Sequence, residues 1–98
     1  MQTYNRGSAV LTEIETKKYT AFGSYDYFDP TTATITVTDI GNNAKVDKVA
    51  LTKSATGKYY YITQTLTDWA IGKYEIKIIA SDNINNDVTI YENAFTLK

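Results

Sequence analysis

Between Gly72 and Ala80 apolar and polar residues take turns: Tyr74, Ile76, Ile78 and Ala80 fall on one face, and Lys73, Glu75 and Lys77 on the other. A period of two predicts a half-buried strand, with Ile79 as its one outward apolar residue. Residues 32–38 repeat the pattern, Ala33, Ile35 and Val37 inward and threonines outward, as expected of a central strand. In residues 8–16 Val10, Thr12 and Ile14 oppose Glu13 and Glu15, and Leu11 blurs the alternation slightly. Residues 46–52 offer Val49 and Leu51 to the core against Lys48. Residues 58–66 set Tyr60, Ile62 and Leu66 on the core side and Tyr59, Tyr61, Thr63 and Thr65 on the other, leaving Gln64 at the rim. In residues 88–97 Val88 and Ile90 have one parity and Phe95 and Leu97 the other, which predicts a bulge near Glu92 to Ala94. Residues 2–6 read equally as a short first strand or as a linker. No segment has a helical period.

The connections fit this reading. Residues 39–43 (DIGNN) and 53–57 (KSATG) have hairpin chemistry, and residues 81–87 (SDNINND) form a polar loop. Residues 17–30, aromatic and ending in Asp29-Pro30, form the longest irregular stretch. Gly72 lies two residues before Tyr74 and Leu66 eight before, the spacing of a tyrosine corner, whose hydroxyl bonds back to the preceding turn; Trp69 caps the core beside it. Short strands joined by such turns predict an all-β Greek-key sandwich of six or seven antiparallel strands, a single domain over residues 1–98 that suits a module of a longer chain.

Composition narrows the function classes. With neither cysteine nor histidine, the chain has no disulfide, no thiolate nucleophile, no Cys-based metal site and no imidazole base. There is no Gly-rich phosphate loop and no nucleophile elbow, so the expectation is a non-enzyme. Ten basic and eleven acidic residues are interspersed, with no basic stripe for nucleic acid. No apolar run is long enough for membrane insertion, and the first residues lack the order of a signal peptide.

The segments DPTTATITVTDIG, TGKYYYITQTL, DWAIGKYEIKIIASDN and FTL, with Leu66, Trp69, Gly72 and Tyr74 placed in them, resemble an immunoglobulin-like sandwich of the fibronectin type III or macroglobulin kind. They are similar to accessory domains of prokaryotic surface proteins and phage structural proteins. The resemblance covers residues 7–97 and departs from antibody domains in lacking their cysteine pair and in carrying Trp69 in the corner turn. It implies a structural, spacer or adhesion module on a cell surface or virion, extracellular, acting through protein–protein interaction with neighbouring domains or subunits. An unpaired edge, if the first strand is missing, would invite strand addition from a neighbour.

With successive strands antiparallel, the loops at 17–31, 53–57 and 81–87 share one end of the sandwich, the recognition end of such domains. It carries Tyr25, Asp26, Tyr27, Asp29, Asp82, Asn83, Asn85 and Asp87 as candidate binding residues, with Tyr19, Phe22, Phe28 and Asn86 nearby. Asp26, Asp29, Asp82 and Asp87 are the candidate calcium ligands, hard oxygens in converging loops; the plainer reading is that they form turns. The tyrosines could stack on a glycan or a protein ligand, whereas Phe22 and Phe28 could equally plug the sandwich end. Glu13 and Glu15 form a carboxylate pair on one strand face; hydrolytic use would need a cleft and separated pKa values, and solvated charge is the alternative.

Overall fold

The computed structural model describes residues 2–21, 23–83 and 87–98. Among these the chain forms β1 (Gln2–Tyr4), β2 (Ala9–Glu15), β3 (Lys17–Ala21), β4 (Ser24–Tyr27), β5 (Thr32–Thr38), β6 (Ala44–Ala50), β7 (Thr52–Ala55), β8 (Lys58–Gln64), β9 (Gly72–Asp82) and β10 (Asp87–Leu97), and no helix. A five-stranded sheet has the order β1-β10-β9-β5-β6, a three-stranded sheet the order β2-β8-β7, and β3 and β4 form a hairpin of their own. The larger sheet is mixed, because β1 runs parallel to β10 while its other pairs are antiparallel. The protein is thus an all-β, sandwich-like molecule with extents of 46 × 22 × 21 Å. Among the described residues it is built of ten strands in place of the expected six or seven and is not wholly antiparallel, because residues 17–27 form an extra hairpin and β1 joins β10 in parallel.

The strand with the cleanest alternation is the longest-paired one. In β9 Tyr74, Ile76, Ile78, Ala80 and Asp82 are buried, and the strand pairs on one side with β10 from Asp87↔Asp82 to Leu97↔Gly72 and on the other with β5. Ile35 and Val37 lie opposite Ile78 and Ile76 on the same buried face. Val10 and Ile14 of β2 close over them from the second sheet. Each such side chain, removed from water, contributes about 1.5–3 kcal/mol before entropy is charged against it.

Several expectations are overturned. β8 presents its other face: Tyr59 and Tyr61 pack on the core and Thr63 and Thr65 are buried, while Ile62 and Leu66 are exposed. The tyrosine rings supply more apolar area than one isoleucine, and Ile62 pairs with the equally exposed Leu11 on the outer face. The Thr63 hydroxyl is buried there without a partner among the described residues. β10 carries no bulge, because its register with β9 is unbroken; Tyr91, Phe95 and Leu97 face the core, and Val88 and Ile90 are exposed.

On β6 the register shifts between the pairs Ile35↔Val49 and Val37↔Val46, where Lys48 adopts a positive φ of 51°, and again between Val37↔Val46 and Thr38↔Ala44. Val46 and Leu51 pack on the core, and Val49 stays 40% exposed on this edge strand. Residues 17–30 are less irregular than their composition suggests, since most of them form the β3–β4 hairpin. The open alternative at the N-terminus is resolved as a strand, β1, paired with the last residues of β10.

Candidate binding end of the sandwich

The end of the molecule holding the β7–β8 turn, the segment after β4 and the end of β9 is tied together by side chains. Asp29 is the centre: its carboxylate accepts from Lys53 Nζ at 2.6 Å, from the Gly57 amide at 3.0 Å and from the Tyr59 hydroxyl at 3.0 Å. Hydrogen bonding from Lys53, then from Gly57 and Tyr59, holds the Asp29 carboxyl below the usual range. Burial first, and then Asp29, push the Tyr59 hydroxyl up.

Gly57 fits where no other residue would. It has φ +71°, and a Cβ there would lie 2.7 Å from Tyr27 Cβ and 2.8 Å from the Thr16 carbonyl. Thr16 donates its amide to Gly57 O at 2.7 Å and its hydroxyl to Phe28 O at 2.5 Å, joining the β2–β3 corner to both neighbours. The loops at 17–31 and 53–57 do meet, and the Asn83 amide donates to Thr31 Oγ1 at 3.0 Å to bring in the third.

Beside this clasp lies an aromatic and cationic patch. Tyr25 and Tyr27 are in edge contact at 5.5 Å, Lys17 Nζ lies 4.6 Å over the Tyr25 ring, and Lys58 Nζ lies 5.3 Å over Tyr27. Lys17 also pairs with Glu15 at 3.1 Å, and its hydrogen bond lowers the Glu15 pKa while raising its own. A general acid would need its carboxyl shifted the opposite way. Glu13, two residues along the same exposed face, makes no ion pair among the described residues.

The remaining candidates are dispersed. Asp26 is exposed on β4. Asp82 is buried and lines a void of about 30 Å³ with Thr16, Phe28, Pro30 and Tyr91. Asp87 opens β10 opposite Asp82 in the register, and Phe22, Asn85 and Asn86 lie outside the described residues. Among the described residues no three carboxylates gather as a metal-binding group. Lys53, Gly57, Tyr59 and Thr16 were not anticipated from the sequence; the one local signal was the Thr56-Gly57 turn.

The opposite end is closed by rings. Trp69 stacks on Tyr74 at 5.6 Å, Tyr74 on Phe95 at 5.2 Å, and Tyr4 meets Phe95 edge-on at 6.1 Å. The Tyr74 hydroxyl donates to Ala70 O at 2.7 Å, back into the turn before its strand. Lys45 Nζ lies 5.7 Å over Trp69. Gly72 opens β9 at φ +131°.

Compared with models of protein families, with curated proteins and with solved structures, the chain matches none. No helix among the described residues is long and apolar enough to cross a membrane.

Proposed function

We propose that the chain is an immunoglobulin-like Greek-key domain serving as a non-catalytic structural, spacer or adhesion module of a larger surface-exposed or virion protein. Supporting the topology are the order β1-β10-β9-β5-β6 facing β2-β8-β7, in which the chain passes between sheets rather than along one, and the Tyr74 bond to Ala70 O. The observation that carries the functional reading is the Asp29 clasp. Its charged and polar groups bind one another, so the clasp fastens the loops at 17–31 and 53–57 together, and the Asn83 bond to Thr31 adds the third. A module that transmits load or spaces its neighbours needs that rigidity.

A second reading has its own observation. Tyr25, 43% exposed beside Tyr27 and beneath Lys17, offers a ring face to a glycan or a protein ligand, with calcium as the other candidate at the neighbouring acidic loops.

Thermal unfolding in millimolar CaCl₂ against excess EDTA, and with and without a panel of oligosaccharides, separates the readings. Ligands of the native state raise the midpoint by mass action. The structural module keeps one midpoint throughout. A rise with calcium that Asp26→Ala or Asp82→Ala removes, or a rise with a glycan that Tyr25→Ala removes, overturns it in favour of the binding module.

A further inference from the structure

Among the described residues no strand pairs with the outer edge of β2. The three-stranded sheet begins with β2, which pairs with β8 on one side only. The Thr65 amide donates to Ser8 O at 3.1 Å and the Thr16 amide to Gly57 O at 2.7 Å, at the two ends of an unbroken register. Bonded and non-bonded pairs alternate in an antiparallel ladder, so the even-numbered residues of β2 exchange bonds with β8. The N–H and C=O groups of Ala9, Leu11, Glu13 and Glu15 therefore point away from it. The Glu15 carbonyl accepts from the Tyr91 hydroxyl at 3.0 Å, which shows that this edge faces β10. Those of Ala9, Leu11 and Glu13 have no partner among the described residues.

A groove of about 340 Å³ runs alongside, lined by Tyr4, Val10, Leu11, Thr12, Asn93 and Phe95. Its exposed lining is more polar than apolar, with Gln2, Thr12 and Asn93 at its walls and Val10 and Phe95 almost wholly buried beneath. Among the described residues β10 is also open on its β1 side outside the three residues that β1 pairs, whereas the edges at β6 and β7 are guarded. β6 carries Lys45, Asp47 and Lys48 with an irregularity at positive φ, and β7 has four residues. β2 offers seven residues in unbroken register with β8.

We propose that the free edge of β2 takes up one extended strand of a partner polypeptide whose outward residues are basic and whose alternate, groove-facing residues are small. Charge selects this occupant. The outer face of β2 beside the edge carries Glu13 and Glu15, and Glu15 already has Lys17 while Glu13 has no cation among the described residues. Pairing β2 with β2 of a second copy would bring four carboxylates onto one small face, with like charges near one another across the new ladder. A lysine or arginine in that position instead completes Glu13. This edge is separate from the Asp29 clasp, and the inference stands whichever reading of the loop end is correct.

The test uses two synthetic peptides roughly nine residues long, enough to span a strand of this length with overhang. One alternates valine or threonine with lysine, and the other carries glutamate in place of lysine. Calorimetry measures binding, and amide exchange locates it. The expected result is that the lysine peptide binds at least about tenfold more tightly than the glutamate peptide, as charge complementarity at a rim dictates. It also slows exchange of the Leu11 and Glu13 amides.

Glu13→Lys reverses the preference between the peptides. Leu11→Pro removes an N–H that β8 does not use and abolishes binding while the thermal transition persists; should that variant fail to fold, the Glu13→Lys reversal decides alone. Absence of binding by either peptide overturns the proposal. So does protection of the Val88 to Glu92 amides in place of those of β2. Slow exchange at Leu11 and Glu13 that rises with protein concentration and without peptide overturns it in favour of self-pairing.

Discussion

At one end of the sandwich Trp69, Tyr74, Phe95 and Tyr4 close the core with stacked and edge-on rings; at the other Asp29, Lys53, Gly57, Tyr59 and Thr16 close it with hydrogen bonds and an ion pair. The ring end is dry: Tyr74 and Phe95 are 1% exposed. The clasp end is wet, with Asp29 and Lys53 side chains 37% and 49% exposed. Apolar area taken from water stabilises regardless of pH and salt, whereas exposed charge pairs contribute little and are screened. Folding energy is therefore concentrated at the corner end, and loop geometry is set at the clasp end.

The largest effect expected is from Phe95→Ala. Emptying a site between Tyr74, Tyr4 and the core should cost about 3–5 kcal/mol, read from the denaturant midpoint. Gly57→Ala should come second, at about 2 kcal/mol, because a Cβ at positive φ would press on Tyr27 Cβ and the Thr16 carbonyl. Should Gly57→Ala cost as much as Phe95→Ala, the clasp would be as much a folding element as the core, and the contrast between the ends would fail. Tyr74→Phe tests the single polar contact of the ring end. Losing the bond to Ala70 O while keeping the ring should lower stability by about 1 kcal/mol, and an unchanged unfolding midpoint would show the bond to be idle.

How far the sequence discloses each end follows from the range of the interactions. The faces of β2, β5 and β9 are legible because a strand with one buried side writes that fact into alternate residues. Tyr74 and its turn are legible because the partner, Ala70, is four residues away. β8 misleads because tyrosine is amphipathic: Tyr59 and Tyr61 bury their rings while Ile62, the more apolar residue by type, pairs with Leu11 outside. β10 misleads in the same way, Tyr91 being inward and Ile90 outward, and a bulge is then inferred that the unbroken register does not contain. Of the clasp, Asp29 and the shared loop end are legible, but its partners are not. Asp29 finds Lys53, Gly57 and Tyr59 at separations of 24, 28 and 30 residues, and no local pattern joins them.

The smallest effect is the one that most directly separates the ends, and it is a pH effect. Asp29 has an ordinary carboxyl pKa of 3.8 when unfolded and a lower one when its three donors are in place, Lys53 first among them. A depressed folded-state pKa means that the native state binds the proton less readily than the unfolded chain. The clasp therefore stabilises fully above the unfolded value and loses its contribution as pH falls through the folded one. Thermal midpoints of the wild type and of Asp29→Asn should differ at neutral pH and converge as pH is lowered below the ordinary carboxylate range. High salt should narrow the neutral-pH difference, since the pair with Lys53 is open to solvent. Phe95→Ala, measured in parallel, should keep its full cost at every pH. If its cost also shrinks in acid, the two ends are coupled, and the clasp is then holding the ring end in register through β9 rather than fixing only its own loops.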